Sequence, residues 1–177
     1  MKLKLPLREI IFGLEDGTVS TLGVIVGIAA GTNNRFVVIL SGLVVIFVES
    51  LSMAAGTYLS NKSSLQEHMA EDKNSLIARF MHHHGPAQPI RESIFMGISY
   101  IVGGLFALIS FFLLPPLAAI IPAITISFVF LFTVGFFKGK IVKVSPIRSG
   151  LEMLVVSASA AAVGFSVGKL ASLFINI

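Results

Sequence analysis

The sequence predicts an all-α integral membrane protein with five transmembrane helices. Of its 177 residues, 55% are hydrophobic and only 12% charged, about half the charged share of a soluble domain. Mean hydropathy is +0.92. The apolar residues fall into five runs, each long enough to cross a bilayer at about 20 residues per span. The basic residues gather between those runs.

The first span runs from about residue 7 to 31, and Gly31-Thr32-Asn33-Asn34-Arg35 makes a short turn. The second covers about 36–59. Residues 60–92 form a polar segment, the one sizeable stretch outside the membrane. Leu65, Met69, Leu76 and Phe80 keep a helical stripe there, predicting that the second helix continues to about residue 82. His82-His83-His84-Gly85-Pro86 ends it. The third span covers about 93–114, and Pro115-Pro116 forces a turn. The fourth covers about 117–137. Ser145-Pro146 is a start signal for the fifth, about 149–174. The whole chain, 1–177, reads as a single membrane domain. The first apolar run is too long and too acidic for a cleavable signal peptide.

Lys2, Lys4 and Arg8 precede the first span; Lys62, Lys73, Arg79 and Arg91 separate the second from the third; Lys138, Lys140, Lys143 and Arg148 separate the fourth from the fifth. With five alternating spans these regions share one side. The positive-inside rule makes that side cytoplasmic, with the C-terminus outside. The basic excess is therefore topological and implies no nucleic-acid partner. Cysteine is absent, which removes disulfides, thiolate metal sites and a cysteine nucleophile. No nucleophile–base pair or cofactor motif suggests an enzyme.

Glu15 and Asp16 are the chemical anomaly, two carboxylates inside the first span. A charge at bilayer depth costs at least ~2.5–3.5 kcal/mol and normally meets a water-filled path, a partner or an ion. Gly13, Asp16, Ser20, Gly23, Gly27 and Gly31 share one helix face. The glycines let another backbone approach closely, so Asp16 is expected at a helix–helix interface, within one chain or between subunits. On the second span Glu49 and Met53 are one turn apart. The helix rise puts Asp16, Glu49 and Met53 roughly 13, 15 and 9 Å from the cytoplasmic surface, one layer within a helical turn. Carboxylates favour hard divalent ions, and a thioether shifts the preference toward Fe²⁺. A carboxylate taken out of water favours its neutral form. Such a pair holds protons when empty and releases them to a metal ion. Glu152, one turn into the fifth span, suits either a helix N-terminus or the cytoplasmic entrance. On the cytoplasmic segment Glu67 and Glu71, and His68 and Asp72, stand at metal-chelating i,i+4 spacing. His82, His83 and His84 add a His-rich run.

Three stretches resemble the vacuolar iron transporter family: Arg8 to Gly17 continuing to Gly23, Glu49 to Ser60, and Pro146 to Leu154. They span the chain in the family's order. The resemblance implies a five-helix homodimer that moves Fe²⁺, with Mn²⁺ as a second ion, out of the cytoplasm against protons. It implies a path between the two first helices, with Asp16 and Met53 on it. Longer members insert a Glu-rich metal-binding domain after the second span. This chain is similar to a short form, since Asn74 to Arg79 contains no acid. Some longer members also carry an acid one turn outward in the second helix, where this chain has Val45, a role that falls to Glu49 here. Asp16, Glu49 and Met53 are then the expected metal ligands, with Glu15 and Glu152 on the path. The partners are divalent metal ions, protons, the bilayer and a second copy, with no permanently bound cofactor. The membrane is the cell membrane in a prokaryote or the vacuolar membrane in a eukaryote. The rival readings are a metal sensor or buffer without flux, built on the cytoplasmic acids and histidines, and a purely structural assembly whose acids serve subunit packing.

Overall fold

The computed structural model describes residues 5–71 and 87–175, with side chains omitted at 68–71, 87 and 175. It is all-helical: α1 (Leu7–Thr32), α2 (Arg35–Glu71), α3 (Ala87–Leu113), α4 (Pro116–Val142) and α5 (Pro146–Ile175). All five are long and apolar enough to cross a membrane. The expected turns hold. Asn33, in the left-handed region at φ 48°, ends α1 and donates its N–H to Ala29 O. Pro116 opens α4, where its missing N–H costs nothing. Ser145 caps α5, its Oγ accepting from Arg148 N at 3.5 Å.

Several helices outrun their apolar stretches. The second was expected to continue to about residue 82; it extends to Glu71, and residues 72–86 lie outside the described ones. The third begins at Ala87, six residues before the expected start. Glu92 ties these extensions together, accepting from Asn61 on α2 at 2.7 Å and from Gln88 at 3.1 Å. The fourth runs on to Val142, through Lys138 and Lys140. Hydropathy marks where a helix leaves lipid. Its internal hydrogen bonds continue wherever water or a neighbour suits its side chains.

α1 is the central helix and packs against the other four. Against α3 the approach is backbone to backbone. A Cβ on Gly17 would overlap the Tyr100 carbonyl, and one on Gly103 would overlap Leu14 O. Thr18 Oγ1 spans this contact, donating toward Leu14 O at 2.8 Å and Gly103 O at 3.1 Å. Against α5, Gly23 and Gly27 meet Gly164 and Gly168 as tightly. The glycine face predicted for the first helix therefore has its partner within the same chain. Because lipid is as apolar as leucine, such contacts hold by dispersion rather than by burial from water.

The two halves of the bundle differ. Away from the N-terminus, Leu22, Ile25, Val38, Ile46, Leu108, Phe111 and Ala119 form a buried apolar cluster. At that end Arg35 Nε donates to Phe111 O at 3.1 Å and its Nη2 to Phe112 O, capping the last carbonyls of α3. Arg35→Ala is expected to lower stability in detergent by about 1.5–3 kcal/mol, the range for a hydrogen bond involving a charged group. Arg148→Ala, which breaks only an exposed ion pair with Glu152, is expected to change it by less than ~1 kcal/mol. Thermal unfolding of the two variants side by side measures the difference. The half nearer the N-terminus holds the acids.

Candidate metal-transport site

α1 passes its acids through the N-terminal half at residues 15 and 16, and α2 returns through the same layer with Glu49. Both Asp16 and Glu49 are half-buried. Ser20 Oγ donates to Asp16 Oδ1 at 3.3 Å, one turn along α1. Tyr100, wholly buried on α3, donates its hydroxyl to Glu49 Oε2 at 2.6 Å. The same phenol lies within the electrostatic reach of Asp16 and Ser20, and Asp16 feels the charge of Glu49. Three helices thus contribute to one polar group, Asp16–Ser20–Tyr100–Glu49, inside an apolar bundle.

Tyr100 was not among the residues picked from the sequence. The chain has only two tyrosines, and this one stands within a span. A buried phenol nearly always finds a hydrogen-bond partner. That was the available signal, but the partner follows only from how α2 and α3 pack. The Gly17 contact fixes Tyr100 from the other side, since the Tyr100 backbone sits where a Gly17 Cβ would be.

Glu15 turns elsewhere. It lies within reach of the Lys138 charge on α4, as well as that of Asp16. Met53 lines a pocket of about 420 Å³ whose lining also includes Arg8, Glu9, Phe12, Asn61 and Met96, but neither Asp16 nor Glu49. Glu152 is exposed and paired with Arg148 at 3.2 Å. Within one chain it is not brought to the acid pair. Glu67 is exposed on the extension of α2. The side chains of His68 and Glu71, together with Asp72, His82, His83 and His84, lie outside the described residues.

Among the described residues, no three His, Cys, Asp or Glu side chains come together as a metal-holding cluster. One chain offers two carboxylates and the neutral oxygens of Ser20 and Tyr100. That set is hard and oxygen-only. It suits a divalent cation held weakly or shared with further ligands. Beyond Ser20 an apolar groove of about 760 Å³ runs along the outer side of α1 and α5, floored by Gly23, Gly27, Gly164 and Gly168.

Comparison with known proteins places this arrangement. An uncharacterized protein of Methanocaldococcus jannaschii is 32% identical over 92% of this chain and 88% of its own length. Vacuolar iron transporter 1 of Arabidopsis thaliana is 21% identical over 92% of this chain and 85% of its own, and that of Eucalyptus grandis likewise 21% over 92% and 85%. The plant alignments need 213 and 212 positions to cover 92% of a 177-residue chain, so the plant proteins carry residues this chain lacks. The VIT family's sequence model matches residues 7–78 and 61–169. Its two matches meet in the shortened segment after the second span, as a short form requires. The chain belongs to the VIT family.

Proposed function

We propose that the protein is a proton-coupled exporter of divalent metal ions, with Fe²⁺ the favoured cargo and Mn²⁺ a second. The single observation that carries this reading is the carboxylate pair Asp16 and Glu49 inside the membrane-spanning bundle, where the Tyr100 hydroxyl donates to Glu49 and Asp16 feels the charge of Glu49. Two carboxylates within reach of each other's charge repel one another when both are charged, and a divalent ion or a proton relieves the repulsion. Metal and protons therefore compete for one site, and that competition is the basis of exchange. The names of the plant relatives, iron transporters, favour Fe²⁺.

Three basic regions, at residues 2–8, 62–91 and 138–148, support a cytoplasmic N-terminus. The acid pair then lies in the cytoplasmic half, and the apolar cluster at the other end stands between it and the outside. A homodimer completes the site. The groove beginning at Ser20 is lined by small and apolar residues, and a second copy's α1 laid in it brings a second Asp16 toward the first. Two copies supply four carboxylates where one supplies two. Glu15, beside Lys138, borders the entrance.

Proteoliposomes loaded at acidic pH and placed in Fe²⁺ at neutral pH test the coupling, in the vesicles whose cytoplasmic face is outward. The expected result is Fe²⁺ uptake that falls sharply when the gradient is collapsed with a protonophore, and alkalinisation of the lumen as ions enter. Uptake indifferent to the gradient removes the proton from the mechanism. No uptake, with metal still bound, favours a sensor or buffer.

A further inference from the structure

Each acid of the pair meets one hydroxyl. Tyr100 donates to Glu49 Oε2 at 2.6 Å, and Ser20 Oγ to Asp16 Oδ1 at 3.3 Å. Among the described residues these are the two hydroxyls that donate to a carboxylate. Thr18, Ser50, Thr125 and Ser159 turn instead to backbone carbonyls of their own helices, the usual outlet for a helical hydroxyl. No second donor among the described residues reaches either acid. Glu49 Oε1 and Asp16 Oδ2 are therefore the oxygens left for a cation.

The Tyr100 bond is the firmer of the two. Its side chain is wholly buried, and its backbone lies against Gly17 with no room for a Cβ between them. The phenol cannot withdraw unless α3 moves. A short hydrogen bond to a charged oxygen is also among the strong ones. Glu49 would have to break it to bind one cation through both oxygens.

Cations differ in how much that matters. Ca²⁺ takes about six to eight oxygens at ~2.3–2.6 Å and readily accepts both oxygens of one carboxylate. Smaller divalent ions prefer octahedral oxygen sites, with distances of about 2.0–2.1 Å for Mg²⁺. The narrow bite of a carboxylate fits those short distances poorly, so such ions take one oxygen from each acid.

We propose that Tyr100 is a specificity-determining residue, which limits Glu49 to one oxygen per cation and so favours small octahedral ions such as Fe²⁺ and Mn²⁺ over Ca²⁺. It touches no ion itself and acts by positioning Glu49. The proposal rests on the transport reading and deepens it by naming the ion the site refuses.

The test compares Fe²⁺ and Ca²⁺ uptake, each measured separately in proteoliposomes, for wild type, Tyr100→Phe and Tyr58→Phe. Phenylalanine keeps the ring and removes only the hydroxyl. Tyr58, which packs beneath Lys62 Nζ on α2, controls for the loss of a phenol elsewhere. The expected result is a roughly ten-fold rise in the Ca²⁺:Fe²⁺ rate ratio for Tyr100→Phe, the lower end of what a hydrogen-bonding partner of a metal ligand contributes, and no change for Tyr58→Phe. A ratio that stays or falls, equal loss of both ions included, makes the phenol a structural group and overturns the proposal. A wild type that already moves Ca²⁺ as fast as Fe²⁺ overturns it too. If Tyr100→Phe does not fold, Glu49→Asp takes its place, because the shorter side chain draws the carboxylate away from a phenol that cannot follow. A raised ratio there upholds the proposal, and an unchanged one overturns it. If wild type moves neither ion, the transport reading fails by itself. Equilibrium binding of Fe²⁺ and Ca²⁺ to the detergent-solubilised chain then decides the role of Tyr100. A Ca²⁺:Fe²⁺ affinity ratio raised in Tyr100→Phe upholds it, and an unchanged ratio overturns it.

Discussion

Asp16→Asn is expected to reduce Fe²⁺ uptake in proteoliposomes by at least about 100-fold, the upper end of the range for residues that merely tune a metal site. Asparagine has nearly the shape of aspartate and keeps a side-chain oxygen for Ser20 Oγ, which donates to Asp16 Oδ1 in the native chain. The local fold therefore persists, and the loss belongs to the charge. The amide attracts a divalent ion far less and exchanges no proton. Removing the Asp16 charge also frees Glu49 from its repulsion, so the remaining acid no longer shares a proton or a metal across the pair. Glu49→Gln is expected to cost less, because glutamine still accepts from the Tyr100 hydroxyl, now 2.6 Å from Glu49 Oε2. Initial rates of both variants at matched protein incorporation, with unfolding temperature as the check on folding, give the comparison. An Asp16→Asn rate equal to wild type would place the ion path elsewhere and leave the acids a structural role.

The parts of this molecule that follow from one-dimensional patterns were legible in its sequence. Apolar length gave the five spans, and Pro115-Pro116, Ser145-Pro146 and the Asn33 turn marked where they begin and end. A fixed rise per residue put Asp16 and Glu49 in one layer, and the structure couples them electrostatically. What depends on which helix packs beside which was not legible. The spacing of Gly23, Gly27 and Gly31 announces a close approach but does not name the neighbour. The neighbour is α5, through Gly164 and Gly168. Tyr100 gains meaning only when α3 lies against α1 and α2. Met53, expected in the layer of the acids, lines a pocket with Arg8, Glu9 and Phe12, nearer the N-terminus of α1, because counting along a helix fixes depth only to within a turn and leaves the direction around the bundle undetermined. The continuation of α2 past the membrane was legible, but the start of α3, at Ala87, was not. Glu92 holds the watery ends of α2 and α3 together through Asn61 and Gln88, contacts between polar residues that a hydropathy profile scores as loop.

Gly17→Ala is expected to destabilise the protein by about 1–3 kcal/mol, the cost of overpacking a close contact, whereas Gly56→Ala is expected to stabilise it by up to about 1 kcal/mol through helix propensity alone. The two substitutions add the same methyl group to a helix. A Cβ at Gly56 meets nothing within 4 Å. A Cβ at Gly17 collides with the backbone of Tyr100, which has no flexible end to move aside. Either α1 and α3 separate or the turn of α3 around Tyr100 shifts. Both responses disturb Thr18, whose hydroxyl is set between Leu14 O and Gly103 O, and both move the phenol away from Glu49. Transport is therefore expected to fall in Gly17→Ala even under conditions where the protein remains folded. Thermal unfolding in detergent and Fe²⁺ uptake on the same preparations separate the two effects. If Gly17→Ala unfolds at the wild-type temperature and transports at the wild-type rate, then the helices tolerate a wider spacing. The close approach of α1 to α3 would then not be what holds Tyr100 against the carboxylate pair.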